Sequence, residues 1–169
     1  MKALANLFAI VVTAAVLCGC DQPPNTVGNS PPRPVEEVQV VHMDVTPPTP
    51  LNWDNRPGAD GVQIRVFFEG SGTLPVTVSG SVEAQLFELA QGKTEGEALS
   101  GKPFKVWSYT PGELNGFLAR TQYGWAYVLV LAWGDQVPKT GRIVLRVAYR
   151  SPAGRVNFSS PVTIQMSAS

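Results

Sequence analysis

From residue 35 onward, apolar and polar side chains alternate along most of the chain with a period of two. In the segment 62–68, for example, Val62, Ile64, Val66 and Phe68 lie on one face, and Gln63 and Arg65 lie on the other. Such alternation between turn residues is typical of half-buried β-strands. The segments that follow this pattern are 36–46, 62–68, 75–79, 81–89, 103–108, 125–133, 142–150, 155–158 and 161–166. About eight or nine short strands without a long helical pattern predict an all-β fold, an antiparallel β-sandwich of immunoglobulin-like, C2-like or similar topology.

Two local features refine this strand pattern. In 36–46 the apolar phase shifts at Val40-Val41, which predicts a β-bulge there. The residues 151–154, Ser-Pro-Ala-Gly, predict a hairpin turn between two strands.

One segment departs from the strand pattern. In 110–114 (TPGEL), Thr110 stands at a helix N-cap position, Pro111 at the first helical position and Glu113 three residues after the cap. This is a capping box with favourable proline placement. The apolar residues that follow have helical spacing: Leu114, Phe117 and Leu118. We therefore predict one short helix near 111–119.

The segment 125–133 is apolar on both faces. The bulky face consists of Trp125, Tyr127, Leu129, Leu131 and Trp133, and the small face of Ala126, Val128, Val130 and Ala132. A strand of this kind is typically covered on both sides. We expect the bulky face to fill the core and the small face to receive the predicted helix through Leu114 and Phe117. The alternative is that the small face is an exposed partner surface.

The N-terminus has the three-part pattern of a secretory signal peptide. Lys2 supplies the positive charge, and an apolar run follows in 3–18, interrupted only by Asn6 and Thr13. A transmembrane helix is the rival interpretation, but it needs about 20 apolar residues. A cleaved signal is the better prediction.

The end of this run, Leu17-Cys18-Gly19-Cys20, resembles the lipobox of bacterial lipoproteins. The resemblance implies cleavage between Gly19 and Cys20, and a diacylglyceryl thioether on Cys20. Several acyl chains anchor a protein stably in a membrane. By analogy with enterobacterial lipoproteins, Asp21 favours retention at the inner membrane. The alternative is a fortuitous pair of cysteines in an ordinary signal peptide.

The sequence then predicts three parts: a lipoprotein signal peptide (1–19), a lipidated cysteine with a proline-rich tether (20–34), and a β-sandwich domain (35–169). Residues 21–34 contain five prolines separated by small and polar residues. Such a segment favours extended polyproline II conformation, and at about 3.1 Å per residue it would span roughly 40 Å. A proline-rich ligand for a partner is the alternative interpretation.

The amino-acid composition argues against several classes of function. The chain has 13 basic and 13 acidic side chains, so it lacks the basic footprint of a nucleic-acid-binding protein. Once Cys18 is removed and Cys20 is a thioether, no thiol remains for disulfides, catalysis or metal binding. We expect no cofactor.

Catalytic motifs are not evident. No G-x-S-x-G, H-E-x-x-H or S-x-x-K pattern occurs, and a serine hydrolase would have to use His42, the single histidine, as its base. His42 lies in a strand pattern, where a histidine that faces solvent or a hydrogen-bonding partner is the ordinary interpretation. We predict no enzyme, with an envelope hydrolase as an alternative.

The loop 52–61 contains oxygen ligands of the kind calcium prefers, on Asn52, Asp54, Asn55 and Asp60. They lack the EF-hand spacing. The Asp-Gly pair at 60–61 also favours a plain tight turn. We therefore predict no metal site and keep Asn52, Asp54 and Asp60 as a weak calcium candidate.

Exposed aromatic side chains bind sugars by stacking, and Trp53, Trp107 and Tyr109 are the candidate ligand platform. The alternative is that these rings fill the sandwich core. A second candidate surface is one face of 142–150, which carries three arginines: Arg142, Arg146 and Arg150. They could face phosphate headgroups or an acidic partner, or form an ordinary solvated face.

Over roughly 46–166, the chain loosely resembles small planctomycete-type lipoproteins of unknown function, on features such as PLNWDNRPGADGVQIRVFF. The resemblance implies a β-sandwich without an assigned activity. The sequence therefore predicts a lipid-anchored protein of the cell envelope, facing the periplasm or exterior. Its sandwich would bind or scaffold an envelope protein or polysaccharide without catalysis. A carbohydrate-binding module is the main alternative.

Overall fold

The computed structural model describes residues 30–54, 57–72 and 75–166. Ten strands and two short helices occur in this part of the chain. The strands are β1 (Val40–Val45), β2 (Gly61–Glu69), β3 (Pro75–Val76), β4 (Ser81–Glu88), β5 (Lys105–Tyr109), β6 (Leu118–Thr121), β7 (Gly124–Ala132), β8 (Arg142–Arg150), β9 (Val156–Phe158) and β10 (Val162–Gln165). The helices are α1 (Glu95–Leu99) and α2 (Pro111–Leu114), and a 3-10 turn (Asn115–Phe117) follows α2.

The strands form two antiparallel sheets. The first sheet has the order β1-β2-β7-β6, with β3 on the end of β2; the second has the order β10-β8-β4-β5, with β9 on the end of β8. The predicted all-β sandwich is confirmed.

The core lies between the two sheets, where the apolar faces of their strands pack against each other. From β2, the side chains Val62, Ile64, Val66 and Phe68 are fully buried. From β8, Ile143, Leu145, Val147 and Tyr149 face them and belong to the same core cluster. Because strand side chains alternate between faces, the residues between these positions point outward and form the outer faces of the two sheets.

Two tyrosine hydroxyls hold the beginning of the sandwich against its core. The Tyr127 hydroxyl accepts a hydrogen bond from the Val78 backbone N–H at 3.0 Å, and the Tyr149 hydroxyl donates to the Glu36 carbonyl at 2.7 Å. Val35 and Val78 form a parallel β-bridge beside them. The chain thus enters the domain along a fixed path, within the compact unit that starts at Pro31.

The predicted helix is shorter than expected. It comprises α2 and the 3-10 turn, and the chain then enters β6, which pairs with β7 from Leu118 to Thr121. Pairing with β7 provides hydrogen bonds for the backbone N–H and C=O groups of residues 118–121. A further helical turn is disfavoured because Gly116 is a poor helix former. The capping box itself is present: the Thr110 hydroxyl accepts from the Glu113 N–H, and the Glu113 carboxylate accepts from the Thr110 N–H at 2.8 Å.

The interpretation that the helix covers the small face of β7 is wrong. Leu114 is fully buried in the core cluster between the sheets, together with Tyr127 of the bulky face. Phe117 packs edge-on against Tyr109 with ring centroids 5.4 Å apart. On the small face, Val130 is 48% exposed. The alternative of an exposed small face holds for this part of β7.

Other local predictions have mixed outcomes. The turn at 151–154 is confirmed: it joins β8 to β9, and the Gly154 N–H donates to the Ser151 carbonyl at 2.9 Å. The phase shift near Val40 is present, because Val38 and Val41 are buried while Val40 is exposed. It falls at the start of β1, whose ladder with β2 begins at Val40, so it marks the entry to the strand.

Candidate functional site

A shallow pocket of about 360 Å³ lies on the outer face of the first sheet, at the end where β1, β2 and β3 meet. The described side chains that line it are His42, Asp44, Phe67, Glu69, Pro75 and Tyr123. They come from three strands and one turn, so the fold assembles the pocket from distant parts of the chain.

The floor and one wall follow from the register of β1 with β2. His42 lies directly opposite Phe67, so both side chains share the outer face. The His42 imidazole Nε2 lies 3.2 Å from the Glu69 carboxylate Oε1, diagonally across the ladder. Phe67 is only 8% exposed although it occupies the polar phase of its strand. The register therefore places an aromatic ring beneath an imidazole–carboxylate pair.

An ion pair between Asp44 and Arg65 extends this wall. Asp44 lies opposite Arg65, and the Arg65 Nη2 is 3.5 Å from the Asp44 Oδ2. The Arg65 Nε is buried and has no hydrogen-bond partner among the described residues. Both pairs are partly exposed, so they contribute little to stability and remain free to exchange partners with a ligand.

The opposite wall is built by the tight turn between β6 and β7. The Tyr123 N–H donates to the Thr121 hydroxyl at 3.1 Å, and that hydroxyl donates to the Gly124 carbonyl at 2.9 Å. Gly124 has φ of 111°, a conformation that favours glycine. A Cβ at Gly124 would lie 3.2 Å from the Pro75 ring, so glycine also allows Pro75 to pack on the turn. The turn leaves the Tyr123 side chain 62% exposed at the rim.

The lining of the pocket combines polar groups with aromatic rings. The pocket offers carboxylate acceptors on Asp44 and Glu69, an imidazole on His42, and two aromatic rings. Its described lining residues include no serine, threonine or cysteine that His42 could activate. Apolar rings with a few polar groups that fix orientation are typical of a binding site.

The loop with the calcium candidates uses its polar groups internally. Asp60 Oδ2 accepts from the backbone N–H groups of Trp53 at 2.6 Å and Asp54 at 3.1 Å, and Asn52 Nδ2 donates to the Gly58 carbonyl at 2.7 Å. Asn55 lies outside the described residues. Within the described part of the chain, no three His, Cys, Asp or Glu side chains come together as a metal site would require. The geometry is that of turn chemistry, with Asp60 holding the loop closed.

The three predicted platform aromatics differ in exposure and in the contacts they make. Trp53 is 47% exposed, and its ring lies over Gly61, where a Cβ would be 2.6 Å from it. Trp107 is partly buried, its Nε1–H donates to the Ala132 carbonyl at 3.1 Å, and its ring lies 6.0 Å from that of Trp133. Tyr109 packs on the core as well, and burial raises the pKa of its phenol. Trp107 and Tyr109 therefore help to close one side of the sandwich.

The three arginines share the outer face of the second sheet, as predicted from their spacing. Arg146 is half-buried near the middle of this face, and Arg150 is exposed at the end of β8. Arg142 lines a second concave region of about 260 Å³, together with Leu89, Gln91, Gly141 and Gln165.

The predicted lipidation residue Cys20, its neighbour Asp21 and the whole signal segment lie outside the described residues. Among the helices of the described part, none has the length and hydropathy needed to cross a membrane.

Comparison with known proteins returned no relative: no family model, no curated protein and no solved structure matches the chain.

Sequence reasoning missed most of the pocket, because its residues meet only through strand pairing. One signal was present in the sequence. Phe67 stands at a polar-phase position of β2, next to Phe68, so two neighbouring large rings point to opposite faces of the strand. A large ring on the outer face indicates a covered or ligand-binding position. The helix α1 was also missed, although Thr94 and Glu97 have the same capping-box spacing as Thr110 and Glu113.

Proposed function

We propose that the protein is a lipid-anchored cell-envelope protein whose β-sandwich is a non-catalytic binding or scaffolding domain. The lipobox-like residues ending at Cys20 support the anchor, and the proline-rich segment 21–34 supports a tether. The observation that carries the binding role is the pocket on the first sheet, where the His42 Nε2 lies 3.2 Å from the Glu69 carboxylate next to Phe67.

The anchor is tested by the intact mass of the membrane-extracted protein beside a Cys20→Ser variant. The expected result is that the wild type loses residues 1–19 and gains acyl mass, while the variant gains none. Cleavage at another site without lipid would overturn the anchor and leave the binding role of the sandwich to be judged separately.

The binding role is tested by following the NMR resonances of the His42 imidazole. We expect a ligand of this pocket to shift the NMR resonances of His42, the single histidine of the chain, which makes the signal unambiguous. Tyr123→Ala removes an exposed ring at the rim and should weaken binding about fivefold, since a stacked ring is worth about 1 kcal/mol. Trp53→Ala is the matched control, because Trp53 is similarly exposed but does not line the pocket.

A carbohydrate ligand is the second candidate, and the composition of the pocket supports it. Sugar rings present apolar C–H faces that stack on aromatic rings and hydroxyls that donate to carboxylates. The pocket supplies the exposed ring of Tyr123 for the first contact, and Asp44 and Glu69 for the second. This places the sugar-binding hypothesis on residues other than the three aromatics predicted from the sequence.

The probe is a soluble N-acetylglucosamine tetramer, titrated while the His42 resonances are followed. Saturable shifts that disappear in Tyr123→Ala and persist in Trp53→Ala would support the pocket. Loss of binding in Trp53→Ala alone would return the sugar site to the original platform. Absence of saturable shifts would remove this saccharide class.

A further inference from the structure

The outer face of the second sheet carries a cation whose surroundings hold it in place but do not neutralise it. Arg146 donates from Nε at 3.2 Å and from Nη2 at 2.8 Å to the Gln85 side-chain carbonyl Oε1. Gln85 in turn donates from Nε2 to the Glu83 carboxylate at 3.3 Å. The amide of Gln85 thus connects the arginine to the carboxylate and fixes its own orientation.

Two aromatic rings fix the plane and depth of the same group. The guanidinium carbon of Arg146 lies 4.4 Å from the ring centroid of Phe158 and 5.3 Å from that of Phe87. Phe87 is buried beneath α1 in a small cluster with Leu89 and Val144, whereas Phe158 is 51% exposed. The arginine therefore lies between a fixed ring and an accessible ring.

The hydrogen bonds to Gln85 occupy only one edge of the guanidinium. The edge formed by Nη1 and Nη2 has two parallel N–H groups, the geometry that pairs with both oxygens of a carboxylate. No carboxylate of the described residues forms an ion pair with Arg146. Burial lowers the pKa of Arg146, which agrees with a partly desolvated cation, although arginine remains charged at neutral pH.

The surroundings favour a protein carboxylate over a membrane or a phosphate cluster. Along an antiparallel strand, Arg142 and Arg150 stand about 14 Å from Arg146, too far to share one anion with it. Glu83 on the same face, and Glu95, which accepts from the Thr163 hydroxyl at 2.8 Å, reduce the positive potential that an anionic bilayer would need. A ligand of Arg146 is therefore held by this one guanidinium, which suits a single carboxylate.

The apolar residues around Arg146 fit a protein partner. Phe158 and, on β5, Val106 are 51% and 44% exposed. Phe158 lies opposite Ala148, and Val106 lies opposite Gln85, the partner of Arg146, so both are on the same face as the arginine. Arginine and aromatic residues at the centre of a flat apolar surface are the composition of protein interface hot spots.

We propose that this face of the second sheet binds an acidic segment of a partner protein, with a carboxylate on the free edge of Arg146 and an adjoining apolar side chain on Phe158. The proposal goes beyond the proposed function, because it concerns a second binding surface. It does not depend on the lipid anchor or on the pocket of the first sheet, which lies on the opposite outer face of the sandwich.

The test uses a chain that begins at Asp21, which retains every contact described here. Two capped dipeptides serve as probes, acetyl-Asp-Phe-amide and its neutral isostere acetyl-Asn-Phe-amide. Binding is followed by the NMR shifts of the Gln85 side-chain amide and the Phe158 backbone amide. We expect saturable shifts with the Asp peptide and at least about tenfold weaker binding of the Asn peptide, because a charge-assisted bidentate pair is lost.

Variants then test whether the two parallel N–H groups of Arg146 bind the Asp peptide. Arg146→Gln should weaken binding of the Asp peptide at least about tenfold, and Arg146→Lys should also weaken it, because a lysine keeps the charge but not the two parallel N–H groups. Arg155→Gln is the matched control: Arg155 is exposed and paired with Glu37 at 2.7 Å, so affinity should not change. The comparison of the two peptides on the unmodified chain needs no variant to fold.

Three results with the peptides would overturn the proposal. They are an Asp peptide that produces no saturable shifts, equal affinity for the two peptides, and unchanged affinity in Arg146→Gln. Inorganic phosphate that competes as well as the Asp peptide would also overturn it, since the site would then be a general anion site without a protein partner.

Discussion

Replacement of Tyr127 by phenylalanine tests how the beginning of the domain is held to its core. The Tyr127 hydroxyl accepts from the Val78 backbone N–H at 3.0 Å, and both residues are at most 3% exposed. Removal of the oxygen leaves a buried N–H without a partner, which costs about 1–3 kcal/mol. The ring remains, and with it the edge contact to Phe68 at 5.6 Å, so no cavity forms. We therefore expect Tyr127→Phe to lower the free energy of unfolding by about 1–3 kcal/mol.

The assay is equilibrium urea unfolding of the wild type and the variant, with tryptophan fluorescence as the probe. Tyr123→Phe is the matched control, because Tyr123 is 62% exposed and its free energy of unfolding should change by less than about 0.5 kcal/mol. A Tyr127→Phe variant as stable as this control would refute the reasoning: the Val78 N–H would then find another partner, and the hydroxyl would not hold the chain at this point.

Three further outcomes are expected from the same unfolding measurements. Gly80→Ala should lower the free energy of unfolding by about 1–3 kcal/mol or more, because its Cβ would lie 2.2 Å from the Arg150 carbonyl oxygen. Gly96→Ala in α1, where a Cβ would meet nothing within 4 Å, should raise the free energy of unfolding by up to about 1 kcal/mol. Equal effects of the two substitutions would contradict this expectation. Burial raises the pKa of the Tyr127 phenol above its ordinary value, so the unfolded chain loses this proton first, and stability should be lost as pH rises above about 10 towards the folded pKa; a stability that is unchanged between about pH 8 and about pH 11 would contradict this. Trp107→Phe should cost about 1 kcal/mol, because the indole N–H no longer bonds the Ala132 carbonyl, and a neutral effect would show that this bond exchanges freely with water.

The strands were predictable because the alternation that marks them is local. The segment 142–150 coincides with β8, and 62–68 falls short of β2 by one residue at each end. Burial of one strand face depends on every second residue, so the pattern along the chain already contains the information. The same reasoning failed at 118–121, where three apolar residues at helical spacing favoured a helix. There the open edge of β7 determined the outcome, and that edge is a property of the assembled sheet.

The pairing of strands was not predictable in the same way. The pocket depends on His42 lying opposite Phe67 and on the turn at Tyr123 reaching Pro75. The arginine site depends on Gln85 lying opposite Arg146. These are relations between residues far apart in the chain, and a single sequence specifies them only through the complete fold. Trp107 is an example in the other direction. Its aromatic ring suggested a ligand-binding platform, but in the fold its N–H donates to the Ala132 carbonyl and helps to close the sandwich.

Departures from alternation nevertheless identify the surfaces that we propose to be functional. A strand face that meets only water usually carries polar side chains. Exposure of a large apolar ring to water on such a face is unfavourable, so the ring is more stable when something covers it. Phe67 and Phe158 are both rings on outer faces, and each lies beside a polar side chain, the His42 imidazole in one case and the Arg146 guanidinium in the other. A ring next to a polar group on an outer face offers a partner both apolar area and a polar contact. If function follows from these two departures, Phe158→Ala should abolish peptide binding and leave pocket ligands unaffected, whereas Tyr123→Ala should have the opposite effect. Loss of both kinds of binding in either variant would mean that the two faces are not independent.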